Sequence, residues 1–325
     1  MSRRVLIVGG AGYIGAHCAR ELEDHGIEVV VFDNLSTGHR GAVRSELIVG
    51  DIRDRNALQK VFSAKKYDAV MHFAAKSLVG ESVSKPLRYY DVNVGGTASL
   101  LTEMQRAEVS AFVFSSTCAI YGDPERLPLD ENHPKNPVSP YGNSKLMVEG
   151  LLDAAREREG FQVASLRYFN AAGAHPDGSM GESHMPETHL IPLALQALLG
   201  QRGRLSLFGR DYETRDGTCI RDYIHVCDLA VAHRLALTHL WEGNSGRAWN
   251  LGTGNGTSVL EVLDAIHRVT GKPVPYDDAE RRAGDPPGLY AAADRVKSDL
   301  GWAPEKEHID QIVADAWAWI QNPAY

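Results

Sequence analysis

The chain has few cysteines, and none of them is spaced to act with another. Cys18, Cys118, Cys219 and Cys227 form no C-x-x-C pair and no metal-type spacing. They read as reduced, mostly buried thiols of a cytoplasmic protein, which argues against a disulfide scaffold or a thiol redox motif. H-E-x-x-H is absent, and spacing gathers none of the thirteen histidines into a metal site, so no metal is expected. Long apolar runs are missing as well, and nothing is long enough to span a membrane. There is no low-complexity tract and no repeat of fixed period. Nor is there an excess of basic charge: the formal net charge of −8 offers no basic face for nucleic acid or anionic lipid, although local basic groups can still hold phosphates. Arg3-Arg4 ahead of an apolar stretch from Val5 looks like the head of a signal peptide. The four glycines inside that stretch make this the poorer reading.

What is present is an ordinary globular composition, 43% hydrophobic and 23% charged over 325 residues, enough for one large domain or two tightly joined ones. Short β-branched runs at 5–10, 28–34, 47–51, 68–75, 111–122 and 163–170 read as strands. Helical patterns lie at about 13–24, 54–64, 87–106 and 141–159. Strands apolar throughout, alternating with helices, predict an α/β fold: a doubly wound, Rossmann-like parallel sheet buried on both faces, with its ligand crevice at the strands' carboxyl ends. After residue 171 a loop rich in Gly, Pro and His runs to 188. Beyond it, helices at 190–200, 227–241, 258–270 and 308–321 and strands at 205–209 and 248–252 predict a smaller α/β lobe that returns at least one strand to the main sheet. The expected division is 1–170 for a dinucleotide and 171–325 for a second ligand, partly interleaved.

Gly9-x-x-Gly12-x-x-Gly15 follows the first strand and opens a helix. Glycine there permits a tight turn, close backbone approach to a pyrophosphate and close helix–strand packing, with the helix N-terminus supplying positive potential. Tyr13 and Ile14 sit inside the same turn. Asp33 ends the second strand 18 residues after Gly15 (33 − 15), where a carboxylate can bond ribose hydroxyls. It would repel a 2′-phosphate, so NAD is expected rather than NADP, with Arg40 the nearby residue that speaks against this. Asn34, the Asp51-Ile52 pair after the third strand and Phe73-Ala74-Ala75 after the fourth belong to the same crevice.

Strand five ends in Ser115-Ser116-Thr117. Downstream, Ser139 is placed to cap a helix with Pro140 at its first position, so Tyr141 and Lys145 share one face of the first turns. A Tyr-x-x-x-Lys spacing alone is common in a chain with 12 tyrosines, and a surface turn with Lys145 paired to Glu149 is the bland explanation. The sharper one is a base with its activator. A lysine charge at about 5 Å in an effective dielectric near 20 would favour the phenolate by roughly 3 kcal/mol, or about two pKa units. The helix N-terminus, and a cationic nicotinamide if present, push the same way, and the Thr117 hydroxyl can relay a proton to Tyr141.

"GGAGYIG", "SST" and "YGNSK" together resemble the extended short-chain dehydrogenase/reductase superfamily. The strings at 79–97, 167–178, 187–192 ("ETHLIP"), 216–230, 249–259 and 281–285 ("RRAGD") narrow the resemblance to the UDP-glucose 4-epimerase family, nearly end to end. The resemblance implies a bound NAD, UDP-sugar substrates, a transient 4-keto sugar and a role in galactose metabolism. It implies Tyr141 as base and acid, Lys145 as activator and ribose contact, and Thr117 as hydroxyl bridge. Asn93, Ser115 and Phe169 would touch the cofactor, with Tyr168 in the same wall. Asn170, Leu190, Phe208, Arg221, Arg282 and Asp285 would form the uridine-diphosphate clamp, two arginines gripping the diphosphate.

Three departures from the family pattern stand out. Ser77, with Lys76 beside it, occupies the place of a cofactor-contacting lysine of some members; His189 stands where asparagine is common; and Leu289 replaces a tyrosine often found at the hexose end. The last removes a ring and a hydroxyl, so UDP-N-acetylhexosamines are expected to fit. UDP-pentose or UDP-uronate epimerisation is the alternative, and a non-catalytic dinucleotide sensor a remote one. Thr117-Cys118-Ala119 lacks the acidic pair that a 4,6-dehydratase would place there. Apolar faces on 87–106 (Leu87, Tyr90, Val94, Leu101, Met104) and 141–159 imply a homodimer.

Overall fold

A computed structural model describes residues 3–244, 246–282 and 284–325. In the first half, strands β1 (Arg4–Val8), β2 (Glu28–Asp33), β3 (Glu46–Val49), β4 (Ala69–His72), β5 (Ala111–Ser115) and β6 (Gln162–Arg167) alternate with helices. The helices are α1 (Tyr13–Asp24), α2 (Arg55–Ala64), α3 (Val79–Ser84), α4 (Pro86–Tyr89), α5 (Gly96–Arg106) and α6 (Pro140–Glu159). In the second half come β7 (Asn170–Ala172), α7 (Leu190–Leu198), β8 (Leu205–Phe208), β9 (Ile220–Arg221), β10 (Tyr223–His225), α8 (Val226–Trp241) and β11 (Ala248–Asn250). β12 (Thr257–Ser258), α9 (Val259–Thr270), β13 (Tyr276–Ala279), β14 (Gly288–Leu289), α10 (Asp294–Leu300) and α11 (Ile309–Gln321) complete it.

Seven strands form one sheet in the order β3-β2-β1-β4-β5-β6-β11, every neighbouring pair parallel. β1 shows why these runs are apolar throughout. Val5 and Ile7 face one layer, with Leu22 of α1 and Leu237 and Leu240 of α8. Leu6 and Val8 face the other, with Leu58 of α2, Leu100 and Met104 of α5 and Leu152 of α6. Successive strand side chains point to opposite faces, so a sheet covered on both sides needs apolar residues at every position. The return strand expected from the second half is β11, paired to β6. A separate core of Ile191, Leu195, Val262, Ile266, Ile312 and Val313 joins α7, α9 and α11.

Several boundaries differ from the sequence reading. The strand expected over 111–122 stops at Ser115, and a 3₁₀ turn at Cys118–Ile120 follows. The helix expected over 87–106 is broken by a π-helical stretch, Tyr90–Gly95, between α4 and α5. Its Leu101 and Met104 turn into the sheet core and only Leu87 of the named face is exposed. Helical periodicity cannot reveal an extra residue in one turn, and that residue rotates everything after it. The short strands β7, β9, β10, β12, β13 and β14 and the helices α3 and α10 carry too little pattern to be seen in sequence.

Candidate active site

The crevice lies along the carboxyl edge of the sheet. Gly9 has φ +82°, and a Cβ there would stand 2.3 Å from the Ala74 backbone nitrogen, so only glycine fits the turn against β4. A Cβ at Gly15 would stand 2.3 Å from the Gly9 carbonyl oxygen, which lets α1 start hard against the strand. Gly12, by contrast, faces nearly open space. Two glycines are needed for packing and the third bares the backbone, which fits a pyrophosphate on the start of α1. Tyr13 turns away and donates its hydroxyl to the Gly173 carbonyl (2.6 Å), while Ile14 packs against the core beneath.

Gly9, Gly12, Asp33, Asn34, Asp51, Ile52, Phe73, Ala74 and Ala75 line one continuous cleft. Asp33 accepts from the Ala11 amide (3.0 Å) and the Leu35 amide (2.8 Å), which fixes its carboxylate at the strand end. Asn34 donates to Asp51 (3.0 Å), whose acidity is raised by the Arg53 guanidinium at 2.8 Å. The same cleft takes Ser36, Thr37, Arg53, Lys76 and Arg88 as lining, and does not take Arg40. Lys76, not Ser77, is therefore the lysine at this wall, and partial burial lowers its pKa.

Asn93 is 2% exposed and lies inside the π-helical stretch. Its amide accepts from the Lys76 backbone nitrogen (2.8 Å) and donates to the Lys76 carbonyl (3.0 Å) and the Ser144 hydroxyl (2.9 Å). The side chain thus ties the strand-four loop to α6, a contact sequence alone did not reveal.

The reacting end sits at the start of α6. Ser139 accepts from the Gly142 amide (3.1 Å) and Pro140 is the first helical residue, as the sequence predicts. Lys145 is 4% exposed and donates to the Ser115 carbonyl (2.7 Å), with its ammonium 4.6 Å above the Phe114 ring. Glu149 is bonded instead to Arg167 (2.5 Å and 2.8 Å) and to the Ser116 hydroxyl (2.7 Å). The surface Lys145–Glu149 pair is thereby eliminated. Burial drives the Lys145 pKa down to about 7, opposed by the charge of Glu149.

Tyr141 departs from the electrostatic expectation. Burial pushes its phenol up to about 12, and a hydrogen bond from Thr117 opposes the rise. The reason is that a phenolate on this half-buried side chain loses much of its hydration, while Lys145 directs its ammonium at Ser115 and is itself only partly charged near neutrality. The protein residues alone favour a neutral phenol, with the Thr117 hydroxyl nearby. Thr117 in turn accepts from the Ala119 amide (3.1 Å). Ser115 and the buried Tyr168 share a hydroxyl–hydroxyl contact of 2.5 Å.

Of the second-half residues, Arg221, Asp285, Leu289 and Asn170 gather around β9, while Arg282 and Phe208 form a separate pair. Arg221 donates to Asp285 (3.0 Å) and to the carbonyls of Ile220 (2.8 Å) and Pro286 (3.1 Å). Leu289 pairs with Arg221 across β9 and β14, and packs with Phe169 on the cluster around Cys118 and Tyr121. The Arg282 guanidinium lies 4.1 Å over the Phe208 ring. Neighbouring Arg281, which the sequence reading passed over, stacks on Tyr212 at 4.3 Å and pairs with Asp211 at 2.7 Å. Asn170 donates to the Asp222 carbonyl (2.9 Å), and Leu190 starts α7. Asp222 was also missed. Wholly buried, it accepts from the Thr253 amide and hydroxyl (3.0 Å and 2.8 Å) and the Ala291 amide (3.0 Å), so it locks β9 to two loops. Desolvation pushes its carboxyl up to about 6. Elsewhere in the second half, His184 and His189 converge on Glu182 and Glu187.

A seven-stranded parallel sheet wound on both faces, with a glycine turn and an acidic strand end at its carboxyl edge, defines a dinucleotide-binding α/β protein of the extended short-chain dehydrogenase/reductase kind. The chain belongs to the NAD dependent epimerase/dehydratase family, whose profile matches residues 5–252. The UDP-glucose 4-epimerase of Lactobacillus helveticus is 49% identical over 321 residues, covering 98% of this chain and 97% of the relative. The UDP-glucose 4-epimerase of Rhizobium meliloti is 50% identical over 319 residues, with 98% and 97% covered. The crystal structure of UDP-glucose 4-epimerase from Brucella ovis in complex with NAD superposes with a TM-score of 0.95 at 48% identity, with 98% of this chain and 99% of that one covered.

Proposed function

We infer that this protein is an isomerase that interconverts UDP-glucose and UDP-galactose at C4, with NAD as a bound cofactor. The observation that carries the reading is the meeting of Tyr141, Thr117 and Lys145 at the sheet edge that also holds the glycine turn. NAD, when bound, supplies the acceptor that takes hydride from C4 and gives it back. It would be held by Gly9 through Gly15, by Asp33 and Asn34 at the ribose, by Asp51, Ile52 and Phe73 to Ala75 along the cleft, and by Lys145 and the Ser115 and Phe169 walls farther in.

Tyr141 accepts the 4-hydroxyl proton, directly or through Thr117, as the C4 hydrogen leaves with its electron pair. The 4-keto sugar turns about its diphosphate link, and the same proton returns to the oxygen when hydrogen is delivered to the opposite face. No net oxidation results. A phenol held neutral by burial suits this two-way duty, since it must be an acid as often as a base. Positive charge from Lys145 and the cofactor lowers the cost of the phenolate when the proton is taken.

Arg221 and Arg282 grip the diphosphate, Asp285 the uridine ribose, and Phe208, Asn170 and Leu190 the nucleoside walls. Their present pairings, Arg221 with Asp285 and Arg282 on Phe208, keep each group near its place. Leu289 leaves room beside C2, so UDP-N-acetylhexosamines are substrates too. The division of labour follows the lobes, dinucleotide on 1–170 and UDP-sugar on 171–325. Val79, Val83 and Leu87 on α3 and α4 and Met147 and Leu151 on α6 are all exposed and form the face of a homodimer. The four free thiols suit the reducing cytoplasm.

The test is a panel of UDP-sugars incubated with the protein without added NAD, followed by separation of epimers. UDP-glucose from UDP-galactose is expected, with UDP-N-acetylgalactosamine from its gluco epimer alongside. Conversion of UDP-pentoses or UDP-uronates alone would move the reading to those substrates, and no conversion of any would leave a dinucleotide sensor.

A further inference from the structure

The loop between β7 and α7 carries four side chains that serve no step of the reaction. In "GESHMPETHL" the residues Glu182, His184, Glu187 and His189 follow spacings of two, three and two. Folding brings one ligating atom from each within 4.8 Å of all the others. His184 Nδ1 lies 3.1 Å from Glu182 Oε1 and 3.7 Å from Glu187 Oε2. His189 Nδ1 lies 3.9 Å from Glu187 Oε1 and in close contact with Glu182. Four ligands about 2.0–2.1 Å from one metal ion at tetrahedral angles stand about 3.3 Å apart. The observed separations scatter around that edge length. The carboxylates form the floor, with side chains 5% and 7% exposed, and the imidazoles form the rim at 29% and 49%. An ion can therefore enter from solvent and meet a buried double negative charge.

We propose that Glu182, His184, Glu187 and His189 form a binding site for one divalent cation of the zinc class. Two imidazole nitrogens with two carboxylates is a mixed set that suits Zn²⁺ over Mg²⁺ or Ca²⁺, which favour oxygen alone. Two neutral imidazoles with two carboxylates leave a charge that one divalent ion balances, taking over from the imidazole contacts that pair with the carboxylates in its absence. The surroundings hold the ligands in place, as a site of this kind needs. The Glu182 carbonyl accepts from Trp319 Nε1 of α11 (2.9 Å), the Ser183 carbonyl accepts from His39 Nε2 (3.1 Å), and the His184 ring packs edge-on against Tyr13. An ion here would staple the loop from the cofactor turn to the start of α7, where Leu190 begins. Its role is structural, and it rests on no step of the epimerisation.

The test is calorimetric titration of the chelator-treated full-length protein with Zn²⁺ alone, with thermal melting in parallel. One equivalent per chain at micromolar affinity or better is expected, with a rise in Tm on saturation. His189→Asn, at the exposed rim, and Glu182→Gln, at the floor, should each weaken binding by more than about 100-fold, since losing a direct ligand exceeds the 10- to 100-fold cost of an outer-shell loss. Circular dichroism of each variant checks that it folds, and the rim variant carries the test if the floor variant does not. No stoichiometric uptake, or uptake equal in wild type and His189→Asn, overturns the proposal and leaves the four side chains as an ion-pair cluster.

Discussion

The two halves of the molecule build their sites by different means. In the first, most candidate groups hang from the end of a strand or the opening turns of a helix: Asp33 from β2, Ser115 from β5, Tyr141 and Lys145 from α6. Sheet register fixes their positions, and the core that sets the register is buried on both faces. In the second half the candidate groups come mostly from short strands and loops, and several are steadied by a partner far away in the chain. Arg221 and Asp285 are 64 residues apart, and Arg282 rests on Phe208. Rigid scaffolding suits proton transfer, which tolerates little misplacement. A clamp of paired side chains can open for a ligand by exchanging one partner for another. The difference implies that chemistry and binding can be lost separately.

The largest effect should come from the rigid half. Tyr141→Phe removes the group that takes the proton and is expected to lower kcat by roughly a hundred- to ten-thousandfold, while bound NAD and the melting temperature stay near wild type. Near-normal turnover would refute the assignment of the base. Arg221→Ala, in the clamp, should do the reverse. Loss of one charge-assisted contact of about 1.5–3 kcal/mol predicts a KM for UDP-galactose raised about 10- to 100-fold with kcat little changed. If Arg221→Ala chiefly lowered kcat, the separation of the halves would fail.

The smallest effect reads the burial of Lys145. Its folded pKa, about 7, is below the unfolded value of 10.5. The unfolded chain thus binds the extra proton between those values, so the cost of burying the ammonium is full below about pH 7 and fades as pH rises toward 10.5. Lys145→Met removes that cost but leaves the Ser115 carbonyl without its donor at every pH. The melting temperature of the variant relative to wild type should therefore be a few degrees higher at about pH 6 than at about pH 10. A difference independent of pH would mean the lysine is solvated.

The unequal legibility of the halves has the same cause. β1, the glycine turn, α1 and Asp33 follow one another in sequence as they do in space, so their roles read directly from spacing. Ser139 and Pro140 announced the start of α6, and the α/β class followed from strands such as Val5–Val8. Opaque to sequence were features made by distant contacts: Asn93 holding Lys76, Glu149 turned to Arg167, Asp222 under Thr253 and Ala291. No periodicity encodes these, and the residues of the clamp stood out only through their resemblance to known strings. Desolvation at Tyr141 is likewise invisible to sequence, which supplies charges and spacing only; among the protein groups alone it outweighs the opposing Thr117 hydrogen bond. The metal-like grouping near His184 was written in short spacing, but it became visible only when the loop closed on itself.

In the proposed reaction C4 of the sugar is oxidised and restored within one closed site, with only the proton handled by side chains. UDP-galactose carrying deuterium at C4, incubated with the protein in ordinary water, tests this directly by mass analysis of the UDP-glucose formed. The product is expected to keep its deuterium at C4. Loss of the label to solvent would contradict it.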